Sequence, residues 1–184
     1  MRLRGHRGRP TRNPIRTPPE RGSMAASRET DAPLTVLIVD DEELLVRSCS
    51  RILEVEGFRV LTATRGRDAI DLARRYRPDI ILADLMLPDL DGLELLREAR
   101  RNDPNVLVIM ITGFATVDSS IEAIKAGAYD YIPKPFTATQ LQILIGRAAS
   151  QVRLARDNER LRGQLRERSS LEDVIGGSQP MLKL

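Results

Sequence analysis

The stretch "TVLIVDDEE", Thr35 to Glu43, runs through five apolar or β-branched residues and ends abruptly in four acidic ones. The apolar run reads as a strand buried on both faces. Neighbouring carboxylates repel one another, raise each other's pKa values and oppose folding unless something positive lies among them. A bound cation answers that need. A surface turn whose Asp and Glu favour the N-terminus of the following helix answers it as well, and the stretch standing alone favours this second reading.

Further along the chain the same kind of run recurs. "FRVLTAT", "DIILAD", "VLVIMIT" and "AYDYI" follow at intervals of a dozen residues or more, separated by amphipathic segments that predict helices at about 42–56, 67–76, 91–101 and 117–126. Gly57 and Gly127 stand just past two of these helix ends. Alternating βα units with nearly continuous apolar strands imply a parallel sheet covered on both faces, and right-handed crossovers restrict it to a doubly wound α/β fold.

Ligands in such sheets bind outside the carboxyl ends of the strands. The first strand ends in Asp40 and Asp41, the third in Asp84 and the fourth in Thr112, and Lys134 closely follows the fifth. Three carboxylates, a hydroxyl and an ammonium are therefore expected on one edge. That set suits a hard divalent cation such as Mg²⁺, which accepts carboxylate, water and phosphate oxygens, while Thr112 and Lys134 suit two further phosphoryl oxygens.

Composition narrows the remaining possibilities. The chain has 184 residues, 41% hydrophobic and 30% charged, with a formal net charge of +3. Residues 1–33 hold eight arginines and five prolines with few large apolar side chains, and are expected to be a disordered tail. The basicity belongs to this tail, which either contacts polyanions or is a leader upstream of a true start at Met24. No signal sequence or membrane span is evident, so a cytoplasmic location is expected. Cys49, the only cysteine, excludes an internal disulfide and falls at helical spacing with Leu45 and Ile52, as a core residue would. His6 is the only histidine and lies in the tail, which removes a His general base or His-ligated zinc from the core.

"VLIVDDEE", "DIILADLMLPDLDGLELL" and "VIMITGFATVDSSIEAIKAGAYDYIPKPF", in that order and spacing, resemble the receiver domain of two-component response regulators over residues 34–148. The resemblance implies a flavodoxin-like fold with five parallel strands in the order 2-1-3-4-5. It implies phosphorylation of Asp84 by a sensor histidine kinase, with Asp40, Asp41, Asp84 and the main-chain carbonyl of Met86 holding Mg²⁺. It further implies Thr112 and Lys134 as phosphoryl ligands, Tyr131 as the aromatic switch paired with Thr112, and a cis peptide between Lys134 and Pro135. No general base is needed, because an aspartate is already an anionic nucleophile.

Thr137 and Gln140 form a capping box for a fifth helix that continues past the domain as a linker over 149–168. Leu141, Ile145, Ala148, Val152, Ala155, Asn158, Leu161 and Leu165 make a heptad-like seam, from which a parallel coiled-coil homodimer is expected, with Asn158 setting register. "LEDVIGGSQPMLKL" resembles the opening of the AAA+ module of NtrC-like, sigma-54-dependent activators, so 169–184 is expected to begin such a domain. The chain contains no G-x-x-x-x-G-K-[ST] loop and no helix-turn-helix, so ATP hydrolysis and contact with DNA or RNA polymerase would need domains outside it.

Three competing readings remain. One is a stand-alone receiver acting by partner binding. A second is a Mg²⁺-dependent aspartyl-phosphate phosphatase, whose haloacid-dehalogenase form expects D-x-D at one strand end. The third is a flavin carrier, which needs a Ser/Thr/Gly-rich loop where "DDEELL" stands.

Overall fold

A computed structural model of the chain describes residues 32–113 and 117–175, with side chains described except at 114–120 and beyond 164. The strands are β1 Thr35–Val39, β2 Arg59–Ala63, β3 Ile80–Asp84, β4 Leu107–Thr112 and β5 Asp130–Pro133. They alternate with the helices α1 Glu43–Val55, α2 Gly66–Tyr76, α3 Gly92–Asn102, α4 Val117–Lys125 and α5 Ala138–Ile175. All pairings are parallel and the order is β2-β1-β3-β4-β5: the strand rhythm predicts the doubly wound parallel sheet, and the resemblance to receiver domains its flavodoxin-like order.

The period-2 alternation of strand side chains divides the interior into two layers. Leu37, Val39, Ile81, Ala83, Val108 and Met110 point to one side, where they meet Ala69, Leu72, Leu93, Leu96 and Ala123 from α2, α3 and α4. Val36, Ile38, Ile80, Leu82, Ile109 and Ile111 point to the other, against Val46, Cys49 and Leu53 of α1 and Leu141, Ile145 and Ala148 of α5. β1 and β3 are buried at every position, so their unbroken apolar runs follow from having a helix layer on each face. Cys49 lies in this second core, 2% exposed. Gly57 and Gly127 adopt φ of 85° and 99° just beyond α1 and α4, a region open to glycine without a Cβ clash.

Thr137 and Gln140 close the capping box that opens α5. The Thr137 amide donates to Gln140 Oε1 at 2.8 Å, and the Gln140 amide donates to Thr137 Oγ1 at 3.2 Å. The helix then runs unbroken to Ile175, beyond the expected linker end at 168. The basic tail over 1–31, including His6, and the last nine residues of the expected AAA+ segment lie outside the described residues.

The expected seam needs correction in its first half. Leu141, Ile145 and Ala148 are fully buried and Val152 is 8% exposed, all against the receiver's own sheet and α1. Heptad spacing identifies a helix with one apolar stripe, but the stripe is covered here by the chain's own β-sheet. Only Ala155, Asn158 and Leu161 of the described seam residues remain exposed. Past the sheet, Arg156 pairs with Asp79 at the start of β3, and Asp79 Oδ2 also accepts from the Thr35 amide at 2.8 Å. The helix is thereby fastened to the base of the sheet, at the end opposite the acidic strand termini.

Candidate functional site

Parallel register brings the site together. Val39 pairs with Ala83, Asp84 pairs with Ile111, and Thr112 pairs with Pro133. Asp40, Asp84, Thr112 and Lys134 therefore occupy adjacent positions along one edge of the sheet. Asp40, Asp84 and Thr112 are 0%, 6% and 4% exposed, so charge at this edge is partly withdrawn from water.

Lys134 supplies the compensation. Its Nζ lies 2.8 Å from Asp40 Oδ2, 2.8 Å from Asp84 Oδ2 and 2.8 Å from Glu42 Oε1. Its own amide donates to the Thr112 carbonyl at 2.7 Å, which pins the residue as it leaves β5, and the peptide bond to Pro135 is cis. Burial by itself would lower the Lys134 pKa, but the carboxylates of Asp40, Asp84 and Glu42 around it reverse that and raise it. For Asp40 burial is the largest influence and pushes the carboxyl above its ordinary value, while Lys134 and the Glu42 amide pull against it. That amide donates to Asp40 Oδ1 at 2.9 Å. Asp40 Oδ2 is a different case. The ammonium compensates its charge, but at an angle too poor for a hydrogen bond, so this buried oxygen has no directed donor.

Asp40, Asp41 and Asp84 can each present a carboxylate oxygen so that all three lie within 4.8 Å of one another. Mg²⁺ binds oxygens at about 2.1 Å, so two of its ligands stand at most about 4 Å apart, and small side-chain rotations close the set around one ion. Together with the undirected oxygen of Asp40, this oxygen-only set fits the cation that the acidic run predicted. Met86 follows directly in the loop after β3, and its amide donates to Asp84 Oδ1 at 3.2 Å. Tyr131 sits on the edge strand β5, 38% exposed.

Three supporting residues escaped the sequence reading. Glu42, counted only as part of the acidic run, is the third partner of Lys134. Asp89, in the loop after β3, accepts from the Gly66 and Arg67 amides at 2.8 and 3.1 Å. It thereby caps α2 and fastens the loop that carries Met86. Against slight burial, those amides hold its carboxyl below the ordinary range. Gly92 begins α3 directly against the backbone of the site: a Cβ there would stand 2.3 Å from the Asp84 carbonyl oxygen and 2.7 Å from Leu85 Cα. The sequence "LDGLELL" offers a glycine beside a helix start, but nothing local tells which backbone it must clear.

Known proteins resemble this chain in sequence and fold. The chain is 37% identical over 113 residues to the regulatory protein AtoC of Escherichia coli, covering 61% of this chain and 24% of that one. It is 34% identical over 155 residues to the C4-dicarboxylate transport transcriptional regulatory protein DctD of Pseudomonas aeruginosa, covering 84% and 34%. It is 40% identical over 129 residues to the nitrogen assimilation regulatory protein NtrX of Azorhizobium caulinodans, covering 69% and 28%. The chain thus spans between 24% and 49% of the length of the curated relatives it matches.

Among solved structures, NtrX from Brucella abortus superposes with a TM-score of 0.66 at 34% identity, covering 70% of this chain and 29% of that chain. The beryllofluoride-activated NtrC4 receiver domain dimer gives 0.62 at 37% identity, covering 64% and 98%. With residues 36–146 matching the sequence profile of the response regulator receiver domain, and with the doubly wound sheet that carries Asp84 and Lys134 at one edge, the chain belongs to the response regulator receiver family.

Proposed function

We propose that the chain is the phosphoacceptor module of a two-component response regulator, with Asp84 as the residue phosphorylated. The observation that carries this reading is Lys134 Nζ standing 2.8 Å from both Asp84 and Asp40, between strand ends that also present Asp41. Asp84 attacks the phosphorus of a phosphohistidine on a sensor kinase. The P–N bond breaks as the P–O bond to Asp84 forms, and the electron pair leaves on the imidazole. Asp84 needs positioning and charge neutralisation for this, not deprotonation. Asp40, Asp41, Asp84 and the carbonyl of Met86 would hold Mg²⁺, which would supply much of that neutralisation when bound. Lys134 and Thr112 hold phosphoryl oxygens. Phosphorylation adds charge and acceptor oxygens at the ends of β3 and β4, and Thr112 and Tyr131 shift the population between two surfaces of the domain.

The output runs through α5. Relatives such as NtrX and DctD are named as regulatory proteins, and the last residues of the chain resemble the start of an AAA+ module. The function proposed is therefore control of a sigma-54-type transcriptional activator in the cytoplasm. DNA and RNA polymerase would be engaged only by domains outside this chain. Among the described residues no helix is long and apolar enough to cross a membrane. A homodimer through the linker remains part of this reading, but beyond Val152. Leu154 and Leu161 are 65% and 53% exposed and seven residues apart, which places them on one face of the helix.

Incubation with acetyl phosphate and Mg²⁺, read by intact mass, tests the assignment. The parent gains one phosphoryl group and Asp84→Asn gains none. Light-scattering mass with Mg²⁺ plus beryllofluoride then reports whether the linker assembles. A parent without adduct, or an Asp84→Asn variant with the same adduct, overturns the reading.

A further inference from the structure

Lys134 Nζ is enclosed by three carboxylates at 2.8 Å: it donates to Asp84 and Glu42 and stands against Asp40 without a directed hydrogen bond. An ammonium enclosed in this way is not open to an incoming phosphoryl oxygen. One partner must be released first, and the three differ in what release entails. Asp40 is wholly buried, so water cannot replace the ammonium there. Asp84 is the group that reacts. The Glu42 side chain is 62% exposed, so water solvates it as soon as it lets go. Its backbone is nonetheless fixed, because its amide is bound to Asp40 Oδ1 at 2.9 Å, which keeps the carboxylate within reach of the lysine.

We infer that Glu42 is a positioning residue that restrains Lys134 at the mouth of the pocket and is the partner exchanged for the phosphoryl oxygen. It acts as a brake on phosphorylation in two ways. It occupies a donor of the lysine, and it adds a negative charge where an anionic phosphoryl donor must approach. No residue of the metal set is altered by removing it, and its side chain makes no cap bond to α1, so substitution leaves the helix start intact. The inference rests on the assignment of Asp84 as phosphoacceptor.

The test uses the chain with Glu42→Gln, which removes the charge, and Glu42→Ala, which removes the acceptor as well. The first readout needs neither metal nor phosphate: the ammonium ¹⁵N resonance of Lys134 and the exchange rate of its protons, in EDTA. Loss of one exposed charged partner is expected to speed that exchange by about two- to fivefold, more in Ala than in Gln. The second readout is the rate of adduct formation with acetyl phosphate and Mg²⁺, expected to rise by about the same factor and in the same order. An ammonium signal unchanged in both variants, or phosphorylation that is slowed or unaltered, overturns the inference while leaving Asp84 as phosphoacceptor. A parent that forms no adduct removes the functional assignment and the inference together, a failure visible before either variant is compared.

Discussion

Replacing Lys134 by methionine keeps the apolar stem of the side chain and removes its charge, which isolates the ammonium's part in holding this edge of the sheet. Asp40 and Asp84 would then be left buried without their cation, and breaking a buried ion pair in this way typically costs about 3–5 kcal/mol. The penalty has a ceiling set by proton uptake. A carboxyl of ordinary pKa near 3.9 can be protonated at pH 7 for about 4 kcal/mol, and at pH 5 for only about 1.5 kcal/mol. The folded variant takes whichever course is cheaper, so its loss of stability should approach about 4 kcal/mol at pH 7 and shrink to about 1.5 kcal/mol at pH 5. In the parent, the raised Lys134 pKa places its stabilisation wholly below the value of an unfolded lysine, 10.5, and its loss above that pH. Nothing on the lysine's account therefore changes in the parent between pH 5 and 7. Urea unfolding of both proteins in EDTA at the two pH values measures the difference directly. Mg²⁺ should return part of the loss at pH 7, since an ion that binds only the folded state stabilises it. A loss that is the same at both pH values, or below about 1 kcal/mol at pH 7, would mean that the lysine stem and not its charge holds the strand ends, and would refute the electrostatic account.

Four further outcomes follow from the same geometry. Gly92→Ala should destabilise the domain by about 1–3 kcal/mol in urea unfolding, because the new methyl meets the fixed backbone of Asp84 and Leu85 at 2.3 and 2.7 Å; a neutral substitution would show that this contact yields. Leu141→Ala should cost about 2–5 kcal/mol by an amount independent of protein concentration, since Leu141 is buried in its own domain, and a concentration-dependent loss would return it to a dimer seam. Burial first, and then the charge of Asp40, push the Cys49 thiol up to about 11. Native protein should thus react with a disulfide reagent at pH 8 far more slowly than protein in urea, and stability should fall as pH rises above the unfolded thiol value of 9.0. Without metal, Asp41→Asn should raise stability by relieving repulsion with Asp40 and Asp84, while weakening Mg²⁺ binding in a calorimetric titration; a variant less stable in EDTA would contradict the repulsion.

The doubly wound sheet and the positions of its acidic strand ends are legible in the amino-acid order alone. Both depend on short-range pattern: β-branched runs too apolar for a single buried face, and charged residues where those runs stop. In a doubly wound parallel sheet every strand ends at the same edge, so Asp40, Asp84, Thr112 and Lys134 were legible as one edge although up to 94 residues separate them in the chain; the strand order itself came from the resemblance to receiver domains. Which surface each group meets is set by the folded arrangement. Heptad spacing shows that α5 has an apolar stripe, yet its seam residues Leu141, Ile145, Ala148 and Val152 are covered by the chain's own sheet and α1 and not by a second copy of α5, because spacing encodes a face and never its partner. Likewise "DDEE" announces four carboxylates without saying which of them meet Lys134. Asp40 and Glu42 do, and Gly92 clears the Asp84 carbonyl, through contacts made across loops and strands whose distances exist only once the sheet has closed.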